Sequence, residues 1–70
     1  MGNKLAIYYF LKCEFVRDPD AWFSVKDVSA VVDLSIQRTR RHLSELSICG
    51  DIETKIDGWS NIYRFKGFSN

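Results

Sequence analysis

One histidine and two well-separated cysteines are all the soft metal-ligand chemistry in seventy residues. His42 and Cys49 lie seven apart on one expected helix, the one pair with ligand-like spacing, and two ligands do not make a zinc site. Neither Cys13 nor Cys49 belongs to a C-x-x-C pair, so both read as reduced, partly buried thiols rather than as a disulfide framework. The chain has no G-x-S-x-G elbow, no glycine-rich phosphate loop and no carboxylate pair in an apolar setting, which removes the usual signatures of a catalyst. The expectation is a non-enzyme with no cofactor and no metal.

Long apolar runs are missing too. No uncharged stretch approaches the ~20 residues of a membrane span, and no small-residue cleavage site follows the apolar N-terminal segment. A cytoplasmic domain covering residues 1–70, with no membrane partner, is the default reading. Charge of one sign is equally scarce: ten Lys/Arg face nine Asp/Glu for a formal net charge of +1, so no bulk field points to a polyanion. What the chain does have is aromatic surface. Five Phe, three Tyr and two Trp supply the large buried areas with which a short chain becomes stable without staples.

The order of elements follows from local chemistry. Asn3 can cap a helix running from Lys4 to about Val16, which Arg17-Asp18-Pro19-Asp20 ends because the residue before a proline is pushed out of helical geometry. Leu5, Tyr8, Phe15 and Val16 share a stripe of that helix, while Ile7, Phe10 and Leu11 lie largely on the other side. A helix apolar nearly all round is buried on two sides or keeps a surface for a partner. Ala21-Trp22-Phe23 reads as a short extended piece. Ser24 and Asp27 form an acidic variant of a capping box for a second helix, Val25 to about Val32. Asp33 tolerates the left-handed geometry a turn needs, and Ser35 caps a third helix from Ile36 to Ile48 or Cys49. Ile36, Thr39, Leu43 and Leu46 form its apolar face, and Gly50 stands where a left-handed C-terminal cap belongs. The period then changes to two. Ile52, Thr54 and Ile56 alternate with Glu53, Lys55 and Asp57 in a half-buried strand, and Asp57-Gly58 signals a turn. A last strand over Asn61 to Lys66 points Tyr63 and Phe65 inward and Ile62, Arg64 and Lys66 outward.

That succession describes an α+β winged helix-turn-helix: three helices, a C-terminal two-stranded hairpin wing and a short third strand before the second helix. Two short helices joined by a three-residue turn cross steeply when a small residue sits at the crossing, and Ser29 meets that need. With Leu43 and Leu46 in the core, the other side of the third helix presents Gln37, Arg38 and Arg41, with Ser44 and Glu45 beyond and Arg40 on the flank. Ser35 and Gln37 fall in the first turn, where a recognition helix meets base edges and backbone N–H groups meet phosphate. Glutamine can pair with adenine and arginine with guanine. Three arginines against Glu45 leave residues 35–50 at +2, the sharpest functional feature in the chain. Double-stranded DNA is the partner these residues suit.

At the wing, Trp59 either contacts DNA or folds back over the hairpin as a cross-strand cover. Arg64 and Lys66 are candidates for phosphate contacts from the outer face of the last strand. Lys55 reads as a solvated strand residue, and His42 as a half-buried, hydrogen-bonded imidazole.

The stretch from about Trp22 to Gly67 resembles the PapI/PefI-like regulators of fimbrial operons in enterobacteria. The likeness rests on Ser35-Ile36-Gln37-Arg38-Thr39-Arg40-Arg41-His42-Leu43, on Leu46 to Gly50, and on Ile62-Tyr63-Arg64-Phe65-Lys66-Gly67. It implies transcriptional regulation of a pilus operon and phase variation, shared with the leucine-responsive regulatory protein at promoters with adenine-methylation sites. Arg38, Arg40 and Arg41 would then serve DNA or the regulator–DNA complex, in a monomer or weak homodimer. A second reading comes from the low net charge and the apolar first helix: a winged-helix adaptor that contacts protein through Ile7, Phe10 and Leu11 and binds little DNA unaided.

Overall fold

Each helix begins at a side chain that replaces a missing backbone partner. In the computed structural model, which describes residues 3–67, the Oδ1 of Asn3 accepts the Ala6 N–H at 2.9 Å to start α1 (Lys4–Arg17). Asp18 leaves helical geometry just before Pro19, and its N–H closes the helix on the Glu14 carbonyl at 2.8 Å. Next comes β1 (Phe23–Ser24), whose second residue caps α2 (Val25–Val32). There the Ser24 Oγ accepts from the Asp27 N–H at 3.1 Å and the Asp27 carboxylate accepts from the Ser24 N–H at 3.3 Å, a complete capping box. Asp33 takes the left-handed turn at φ 57°. The Oγ of Ser35 accepts the Arg38 N–H at 3.2 Å to open α3 (Ile36–Cys49), which ends at Gly50 with φ 86°.

β2 (Ile52–Asp57) and β3 (Ser60–Phe65) form the hairpin, and β1 adds to its other side, giving an antiparallel sheet in the order β1-β3-β2. The short strand pairs Phe23 with Tyr63 and Ser24 with Ile62. Ser29 is buried on α2, and its hydroxyl donates to the Lys26 carbonyl at 2.9 Å. The chain therefore has the winged helix-turn-helix fold. Among the described residues no helix is long and apolar enough to cross a membrane.

The core gathers Ile7 and Leu11 from α1, Val28 and Val32 from α2, Leu43 and Leu46 from α3, and Ile52, Tyr63 and Phe65 from the hairpin. Phe65 meets Tyr8 and Phe15 edge-on at 5.6 and 5.7 Å, and Phe10 meets Phe23 at 5.2 Å. This packing corrects the partner surface expected on α1. Ile7 and Leu11 are 0% and 1% exposed, and each such burial stabilises the fold by about 1.5–3 kcal/mol. Phe10 is half-buried against Phe23. Ile7 and Leu11 are therefore not a docking surface, while Phe10 keeps an edge at the groove between α1 and α2. The residues left outside are Leu5, Tyr9 and Val16.

Two further expectations change for related reasons. Ile36 is 45% exposed, because it stands in the first turn of α3, beyond the edge of the core. Ile52 is buried, yet Thr54, whose hydroxyl lies 3.0 Å from that of Ser47 on α3, is exposed and Ile56 is 75% exposed, because β2 runs past the body. Cys13 and Cys49 are free thiols, as expected, but exposed rather than partly buried.

Candidate nucleic-acid interface

The N-terminal half of α3 is held from behind. Thr39 and Leu43 are completely buried, and that anchoring turns Gln37, Arg38, Arg40, Arg41 and Ser44 to solvent. Ser35, also exposed, spends its hydroxyl on the Arg38 N–H. The obvious acidic partner for Arg41 is Glu45, four residues on. Glu45 instead turns toward α1, where its Oε1 lies 3.4 Å from His42 Nδ1 and 3.7 Å from Lys4 Nζ. The hydrogen bond from His42 holds this carboxyl below its ordinary range, with desolvation opposing and the charges of Lys4, His42 and Arg41 assisting. Glu45 thus makes its contacts at the α1–α3 seam, with only through-space attraction to Arg41, and His42 is a half-buried, hydrogen-bonded imidazole.

Half of the cations are engaged by an acid or a ring. Arg17 pairs with Glu14, Lys4 with Glu45 and Arg64 with Glu53, while Lys12 lies over Tyr8 and Lys55 over Trp22. Among the described residues that leaves Lys26, Arg38, Arg40, Arg41 and Lys66 with neither an ion pair nor a ring. Four of the five stand in the first two turns of α2 and α3, so the field of a nearly neutral chain is concentrated at one end.

The wing closes the other side of this end. Asp57 and Ser60 are its last paired residues, Gly58 turns at φ 65°, and Trp59 is fully exposed at the tip. Of the two readings of Trp59, the cross-strand cover is therefore wrong. A cleft of about 470 Å³ runs between the tip and the helix starts, bordered by Ser24, Lys26, Ile36, Arg40, Trp59 and Asn61. Lys26 is the member that sequence reasoning missed, although its place in the first turn of α2, just after the Ser24 cap, was a usable signal.

Arg64 and Lys66 are not brought to this cleft. The Arg64 Nε donates to Glu53 Oε2 at 2.8 Å, a terminal nitrogen donates to the Pro19 carbonyl at 2.8 Å, and the guanidinium lies 4.5 Å from the Trp22 ring centre. Lys55 is an exposed strand residue, as its position implies, and its ammonium also lies 4.4 Å from the centre of the same indole. Arg64 is thus a clamp on the α1–β1 loop, with its donors already committed. Lys66 is exposed, but it follows the end of β3 where its N–H meets Asp51 at the base of the wing. At ~3.3 Å per extended residue it is roughly 20 Å from Ser60. Both residues point away from the core, but neither reaches the cleft at the wing tip.

Among the described residues no group of three His, Cys, Asp or Glu side chains is placed to hold a metal.

No family model matches the chain, and no curated protein does so either. A solved structure does: one described as giving structural insights into the DNA-recognition and protein-interaction domains of HOP2 and its homologous DNA pairing. The two are similar with a TM-score of 0.73 at 21% identity, over 90% of this chain and 97% of that one. At that identity the likeness speaks for the winged-helix fold.

Proposed function

We propose that this chain is a DNA-binding regulator, not an enzyme, that sets the first turns of α3 into the major groove and its wing tip against the neighbouring backbone. The observation that carries the reading is the exposed cluster of Arg38, Arg40 and Arg41 on a helix whose one nearby acid, Glu45, is committed elsewhere. Backbone amides at the start of a helix favour phosphate, and arginine can read guanine bidentately. The neighbour's description as containing DNA-recognition domains lends support.

The finer reading is transcriptional control of a fimbrial operon in the cytoplasm, shared with the leucine-responsive regulatory protein. It rests on the likeness of residues 35–43, 46–50 and 62–67 to PapI/PefI-like regulators, and on nothing else.

The test is a salt titration of duplex binding. Four free cations at one end predict a log–log slope of about −3 to −4, and Arg40→Ala with Arg41→Ala should reduce it by about 2 units while the fold stays intact. A double variant with the parental slope and affinity rejects the DNA reading. Fimbrial promoter DNA, with and without the leucine-responsive regulator, tests the finer one.

A second reading, the protein adaptor, keeps one observation in its favour. Tyr9 and Val31 are more than half exposed and border an apolar groove between α1 and α2 with Ala6, Phe10 and Cys13. The adaptor surface moves there from Ile7 and Leu11. Tyr9→Ser with Val31→Ser should then abolish association with the leucine-responsive regulator without altering duplex binding.

A further inference from the structure

The two tryptophans are treated in opposite ways. Trp22 lies against Lys55 and Arg64 of the hairpin. Trp59 sits on a two-residue loop at the outermost point of the wing, with its side chain wholly in water. Folding would gain from covering so large an apolar ring, and the hairpin surface behind it is not used for that. Its neighbours explain what kind of surface suits it. Trp59 borders the same cleft as Arg40 and Lys26, two cations with no partner among the described residues. A flat apolar ring flanked by free positive charge is complementary to a base stack flanked by phosphates. With so few free cations, phosphate attraction alone gives modest binding, and a stacked ring adds a contribution that salt does not screen.

We infer that Trp59 is a wedge that enters the DNA stack at the edge of the footprint, and that the DNA this chain prefers carries a weakly stacked or unpaired step there. Apolar side chains inserted between base steps must first unstack them, and a mismatched or unpaired base has already lost that stacking. Stacking of one base on an aromatic side chain changes affinity by a factor of roughly 5 to 150. The inference rests on the DNA reading above and specifies the class of DNA.

The experiment compares a labelled mixed-sequence duplex with the same duplex carrying one unpaired thymine at its centre, by fluorescence anisotropy at low salt. The parent chain should bind the second duplex about 10-fold more tightly. Trp59→Ala should bring the ratio of the two affinities to within about two-fold, and Trp59→Phe should keep part of the preference. Melting curves for both variants should match the parent, since the indole touches no core residue. Equal affinities for the two duplexes in the parent, or an undiminished ratio in Trp59→Ala, overturn the wedge and leave the DNA reading standing. Failure of the parent to bind either duplex overturns both.

Discussion

Arg64→Ala separates a structural arginine from a DNA-contacting one, and the structure sets the size of the effect. The substitution removes three things at once: the 2.8 Å bond to Glu53, the 2.8 Å bond to the Pro19 carbonyl and the stack on Trp22. The ion pair is partly screened, with side chains 28% and 35% exposed, so it contributes about 1 kcal/mol. The charged bond to a loop carbonyl that water can reach adds about 1 kcal/mol, and the cation–ring contact about 0.5–1 kcal/mol. The loss is therefore about 2–3 kcal/mol, or a melting temperature lower by roughly 10–20 °C for a domain of this size. Arg64→Lys keeps the charge but lacks the planar fork, and should recover only part of it. A double-mutant cycle with Glu53→Gln should return a coupling of about 0.5–1 kcal/mol. The assays are thermal denaturation followed by far-ultraviolet circular dichroism, and duplex binding measured well below the midpoint. Duplex affinity should stay within about two-fold of the parent, because the residue contributes no free charge to neutralise phosphate. A variant that melts with the parent and loses most of its DNA affinity would show that Arg64 is a phosphate ligand and refute the assignment.

Three further outcomes follow from single residues. The Thr39 hydroxyl is fully buried in α3 with no hydrogen-bond partner among the described residues, so Thr39→Val should raise stability by about 1 kcal/mol in urea denaturation, with duplex affinity unchanged. Asp33 holds a left-handed φ of 57° between α2 and α3, and Asp33→Gly should raise the melting temperature slightly while Asp33→Val lowers it, the strain of a β-branched residue there being about 1–2 kcal/mol. The carboxyl of Glu45 lies below its ordinary 4.5 in the folded chain. Its stabilisation is therefore complete above that value and fades as pH falls through the lowered one. Glu45→Gln should lower stability slightly near neutrality and flatten the acid-induced loss in that window, so that the two chains converge at low pH.

Much of the fold is legible in the sequence because it is set by contacts within four residues. The Asn3, Ser24 and Ser35 caps, the Asp27 half of the capping box, the left-handed Asp33 and the terminating Gly50 need no knowledge of the rest of the chain. Alternation in β2 tells which residues share a face, but not that Thr54 meets only the Ser47 hydroxyl of α3 and that Ile56 stays exposed. That depends on how far the hairpin outruns the helices. In α1, apolar residues on every side gave no preferred face, so only packing could decide that Ile7 and Leu11 go in while Leu5 and Val16 stay out. The arginine face of α3 was readable from the spacing of its core residues. The commitment of Arg64 was not, since its partners Pro19 and Trp22 come from a loop more than forty residues away.

The brevity of β1 has a mechanical consequence. Its pairing with β3 stops at Ile62, so from Asn61 outward the hairpin is a two-stranded ribbon with no third strand beside it. The body thus acts as a fixed pivot and the outer wing as a short lever, opening locally at little cost while Tyr63 and Phe65 share the full stability of the core. Amide exchange should fall off inward along β3 from Ser60. A lever of this kind can follow grooves of different width without disturbing a single core contact.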